Sequence, residues 1–202
     1  MTAASSTHGS STSLAGLLDA RAPQTEIERY LDGLSPAARL DEVLGITGSG
    51  VGRLYDAVLG APTVTVEEFI PANTQGTLIY EGRNSLAVFS RFQKRFHRMP
   101  GGVVVGYNHQ SMSFLTGPGY FVVKAASGSG EHGKELLFDY TEAPPSEPEG
   151  WPRYTPNERG MSRLVYAHMH DYVRRVCRGV VVGKAYKKGV DQKQYFSLTL
   201  PA

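Results

Sequence analysis

The chain has 202 residues, a formal net charge of +2, and 41% apolar and 20% charged side chains. That balance excludes a wholly disordered chain, and no apolar run approaches the ~20 residues that cross a bilayer as a helix. The single cysteine, Cys177, excludes a disulfide framework and an all-cysteine zinc site.

In chain order, residues 1–24 read as a flexible tail, because Ser, Thr, Ala and Gly dominate the first thirteen and offer little to bury. They lack a basic stretch followed by an apolar core, which argues against a secretory signal; with one cysteine, this fits a cytoplasmic protein. Residues 25–61 read as a helical segment. Thr25 and Glu28 fit a capping box, and Ser35-Pro36 is a cap followed by proline at the first helical position. Residues 62–202 read as an α+β domain, and 25–202 can form one compact unit.

Within it, Thr77–Glu81, Val103–Gln110, Tyr120–Ala125, Leu136–Tyr140, Val180–Tyr186 and Gln194–Leu200 have the β-branched and aromatic content of strands. Leu86, Phe89, Phe92 and Phe96 recur at helical spacing and predict an amphipathic helix over 85–98. Met161, Val165, Met169, Tyr172 and Val176 predict a second over 155–178, started by Thr155-Pro156-Asn157-Glu158 and ended by Gly179. The expected fold is therefore α+β: a mainly antiparallel sheet of five to seven strands with these two helices packed on it, preceded by the short helical segment.

The net charge conceals an asymmetry. Residues 1–70 carry −5 and residues 152–202 carry +7. The two parts can face each other within the chain, or the basic part can dock on an acidic protein surface or on a second copy in a homo-oligomer. Arg91, Lys94, Arg95 and Arg98 on the first predicted helix form one stripe. With Arg174, Arg178, Lys187 and Lys188 they are candidates for an anion or nucleic-acid surface, although a solvated face has the same look and no RNA-binding signature is present.

The most unusual stretch is GYNHQSMSFLTGPGYF at 106–121. Amides and imidazole orient ligands by hydrogen bonding, and a Gly-Pro-Gly turn can present N–H groups to an anion. Tyr107, Asn108, His109, Gln110, Thr116, Gly117 and Gly119 are thus candidate ligand-binding residues. Arg83 and Asn84, at an expected strand-to-helix junction, join them. The competing reading is a polar strand end leading into a turn. GITGSGVGRL at 45–54 lacks the GxxxxGK[ST] pattern and does not follow a strand, so a helix connection explains it better than a phosphate loop. His168 and His170 are two apart, unsuited to gripping one metal from a helix, and no motif names a cofactor. Cys177 reads as packed rather than reactive.

Three functions remain open from sequence. One is a binding module for a small polar or anionic ligand or a protein partner. Another is an enzyme with His109 as base and Asp139 as partner. The third is an assembly protein or nucleic-acid binder acting through the basic C-terminal part.

Overall fold

A computed structural model describes residues 12–86, 90–109, 117–127, 132–133 and 135–201. Five short helices come first: α1 (Leu14–Asp19), α2 (Gln24–Asp32), α3 (Pro36–Gly45), α4 (Gly48–Ala57) and α5 (Val66–Phe69). Strands β1 (Thr77–Asn84), β2 (Arg91–Arg98), β3 (Val104–His109), β4 (Tyr120–Ala125) and β5 (Leu136–Asp139) follow. A single-turn helix, α6 (Ser162–Val165), precedes β6 (Met169–Cys177), β7 (Val180–Lys187) and β8 (Val190–Thr199). Each strand pairs antiparallel with the next, and β8 returns to β1, so the sheet closes into an eight-stranded up-and-down barrel.

The α+β expectation is thereby corrected, and both amphipathic helices with it. Residues 91–98 are β2, and 169–177 are β6. Phe92 and Phe96 are four apart, which is one helical turn and also two strand steps, so both periods accommodate them. Met169 and Val173 carry the same ambiguity. In each case closure of the sheet uses the strand period, and Tyr172, Val173 and Val176 suit it by β propensity. His168 sits at φ 59°, a left-handed conformation that breaks any helix running from 155 to 178. The basic stripe expected on 85–98 is split accordingly. Lys94 shares the inward face with Phe92 and Phe96, while Arg91 and Arg95 alternate to the outer face.

Inside the barrel, Phe96, Phe121 and Phe138 form an aromatic layer with ring centroids 5.1–5.7 Å apart. Three inward glycines make room for phenylalanines on neighbouring strands: Gly82 is paired with Phe92, Gly106 with Phe121 and Gly183 with Phe196. One end is plugged by Val64, Phe69 and Ile70. Thr65 and Glu68 cap α5 reciprocally, and the Tyr80 hydroxyl donates to the Phe69 carbonyl at 2.9 Å. Arg98 donates to the carbonyls of Ile70 and Gly102 at the same end.

A second apolar cluster lies outside the barrel. Leu14, Ile27, Leu31, Val43, Val51 and Leu54 of the N-terminal helices cover Val176, Val180 and Val182. Ser35 and Thr47 cap α3 and α4 through their hydroxyls. On the opposite side, Trp151 packs against a small cluster of Met99, Val105 and Val122 and edges onto Tyr107. No helix among the described residues is long and apolar enough to cross a membrane.

Candidate functional site

Among the described residues, a cavity of about 380 Å³ lies at the end of the barrel opposite the α5 plug. Its walls are Phe92, Tyr166, Met169, Ala185 and Phe196; Leu86, Leu164, Val165, Lys187, Gln192 and Gln194 surround the entrance. Leu86, Leu164 and Val165 are exposed. A volume above roughly 300 Å³ with mostly apolar walls is characteristic of small-molecule sites, and eight strands leave room for one such molecule.

The cavity floor is polar. Lys94 reaches it from β2, Asn108 from the paired position on β3, Tyr140 from just beyond β5, and Asp171 from β6. The Lys94 ammonium donates three hydrogen bonds, to Asn108 Oδ1 at 2.8 Å, to the Tyr140 hydroxyl at 2.5 Å and to Asp171 Oδ2 at 3.2 Å. Tyr140 in turn donates to Asp171 Oδ2 at 3.1 Å, and the Asn108 amide nitrogen donates to the Gly119 carbonyl at 3.2 Å. Lys94 is only 3% exposed. Five rings surround its ammonium at 4.7–5.9 Å: Phe92, Phe121, Phe138, Tyr140 and Phe196. Ring quadrupoles and three acceptors compensate part of its lost hydration. Burial still pulls the Lys94 pKa below its ordinary value, against the Asp171 carboxylate, which favours the charged form. Burial, reinforced by Asp171, pushes the Tyr140 phenol well above its own, so Tyr140 remains protonated.

The residues singled out from sequence fall in several places. Asn108 belongs to the floor, Asn84 lines the cavity, and Gly119 supplies the carbonyl that holds Asn108. Gly119 has φ 56°, and a Cβ there would meet the Tyr166 ring at 2.6 Å. At Gly117 the corresponding contact is the Ser162 hydroxyl, at 2.3 Å. Gln110 and Thr116 lie outside the described residues. Tyr107 and His109 alternate to the outer face of β3; Tyr107 is covered there by Tyr120 and Trp151. Partial burial and the nearby Arg95 hold His109 below its ordinary pKa. Arg83 is on the outer face of β1, opposite Arg91.

Asp139 faces outward on β5 and is engaged by Lys124 at 2.9 Å, Thr141 at 2.6 Å and His170 at 3.5 Å; His109 is not among these neighbours. Arg174 is buried under α4, bonded to Glu135 at 2.5 Å and stacked on Tyr55 at 3.8 Å. Arg178 and Lys188 occupy the turns at either end of β7, and Lys187 donates to the Leu164 carbonyl at the cavity entrance. Tyr140, Tyr166, Met169, Asp171 and Phe196 are site-lining residues that the sequence reading did not assign to a site. The signal available for them was the inward register of their strands, which becomes readable only once the barrel is known to close.

Among the described residues no group of three or more His, Cys, Asp or Glu side chains is arranged to hold a metal ion. No protein-family model matches this chain, and neither a curated protein nor a solved structure is significantly similar to it.

Proposed function

We propose that the protein binds a small molecule in the open end of the barrel, with an aromatic or alkyl body against Phe92, Tyr166, Met169 and Phe196 and one polar group over the Lys94–Asp171 pair. The observation that carries this reading is the position of the pair. A buried ion pair contributes weakly to stability, because desolvating two charges offsets most of their attraction. Here it lies at the floor of an open, mostly apolar cavity, where it can orient a ligand. Apolar walls with a few convergent polar groups favour a ligand that is amphiphilic rather than purely polar.

Ala185 lines the cavity and faces Asp171 across the β6–β7 pair. Ala185→Trp fills the opening without removing any hydrogen bond of the floor. Titration with the fluorescent probe 8-anilinonaphthalene-1-sulfonate should give one saturable site in the native protein. In Ala185→Trp the affinity should fall about tenfold or more, equivalent to at least ~1.4 kcal/mol, with cooperative thermal unfolding retained. Equal affinity in a folded Ala185→Trp variant would overturn the assignment.

A further inference from the structure

We infer that Lys94 condenses with the carbonyl group of an aldehyde or ketone seated in this cavity, forming an imine. The inference rests on the binding reading above and adds the ligand's chemical class. Among the described residues lining the cavity, Lys94 and Lys187 carry amines. Lys187 lies at the entrance and donates to a backbone carbonyl. Lys94 lies at the floor, among aromatic rings and beside a carboxylate and a phenol.

Three features suit the condensation. First, an amine out of water loses its proton more readily than one in solvent, and a neutral lysine is the nucleophile that imine chemistry requires. Second, the proton has a defined acceptor, because Lys94 already donates to Asp171 Oδ2. Third, the surrounding rings limit water, which would hydrolyse an imine.

The Lys94 ammonium passes one proton to Asp171, and the freed Nζ lone pair attacks the carbonyl carbon. A proton shift gives a neutral carbinolamine. Its hydroxyl takes the proton from Asp171 and leaves as water, while the nitrogen lone pair forms the C=N bond. The product is a protonated imine with one N–H, whose positive charge faces the regenerated Asp171 carboxylate. Charge is conserved, and no oxidant or reductant is consumed. After condensation Nζ no longer donates to all three of its partners, so Asn108 Oδ1 and the Tyr140 hydroxyl become available to the ligand.

The test uses cinnamaldehyde with sodium cyanoborohydride, which reduces an imine to a stable amine, followed by intact mass and peptide mapping of the native full-length protein. The expected result is a single adduct on Lys94, formed about tenfold faster than on other lysines and suppressed by excess cinnamyl alcohol, which has the same aromatic body but cannot condense. Lys94→Arg should lose this adduct; mapping in the native protein gives the answer even if that variant fails to fold. If cinnamyl alcohol displaces the fluorescent probe while the aldehyde labels only other lysines, the imine inference is overturned and the binding reading stands. If neither compound displaces the probe and Lys94 is unlabelled, both are overturned.

Discussion

Lys94 concentrates the physical question posed by this molecule. Its ammonium is removed from water, holds three hydrogen bonds and depends on one carboxylate, Asp171, for charge compensation. Removing one partner of a buried pair leaves an uncompensated charge. Asp171→Asn should therefore lower stability at pH 7 by about 3 kcal/mol in denaturant unfolding, and adding Lys94→Met to that variant should recover part of the loss. A cost below about 1 kcal/mol would mean that the pair contributes no more than an exposed one. In the sequence, Lys94 is one of four basic residues between positions 91 and 98, and nothing local separates it from the other three. Its inward direction follows from sharing strand parity with Phe92 and Phe96. Asn108 was legible as a hydrogen-bonding group of unusual context. Asp171 and Tyr140 were not, because their meaning depends on which strands lie across the barrel from them.

Among the secondary-structure elements, legibility divided by the type of signal. Local signals served in part: Ser35-Pro36 marks α3 and β-branched runs mark β3, β4 and β7, but Thr25 lies inside α2 rather than capping it, and Thr155-Pro156-Asn157-Glu158 starts no helix. Periodicity misled at β2 and β6, where apolar residues four apart satisfy both helix and strand. The glycine–phenylalanine cross-strand pairs are a second feature hidden from sequence, because the two partners are related by register rather than by spacing. They make a sharp prediction. A Cβ at Gly183 would lie 2.2 Å from the Phe196 ring, and one at Gly106 would lie 2.4 Å from the Phe121 ring. Gly183→Ala and Gly106→Ala should each cost about 1–3 kcal/mol through overpacking. Gly45, near the end of α3, has nothing within 4 Å of its Cβ position. There the same change should be neutral or should stabilise by up to ~1 kcal/mol, since alanine loses less backbone freedom on folding. Thermal unfolding of the three variants distinguishes them, and equal losses at all three would argue against the inward placement of these phenylalanines.

For the molecule as a whole, the charge asymmetry acquires a structural partner. The acidic N-terminal helices lie against the basic C-terminal strands. Glu28 of α2 pairs with Arg175 of β6, Asp32 accepts from the Arg178 backbone N–H at 3.1 Å, and Arg39 donates to the Arg178 carbonyl at 2.9 Å. One of these contacts, Glu28 with Arg175, pairs opposite charges of the two regions, while the other two engage the Arg178 backbone. The helices cover one side of the barrel wall and α5 closes one end. At the opposite end, Leu86, Leu164 and Val165 share the rim with Lys187, Gln192 and Gln194 above a charged floor. The most direct test of that assignment is a two-dimensional ¹⁵N–¹H NMR titration of the native protein with cinnamyl alcohol. Binding in the cavity should give saturable shifts concentrated at the amides of Phe92, Lys94, Asn108, Tyr140, Met169, Asp171, Ala185 and Phe196. Shifts confined to the outer helices and outward-facing wall, or none up to roughly millimolar probe, where binding free energy is only about −4 kcal/mol, would contradict it.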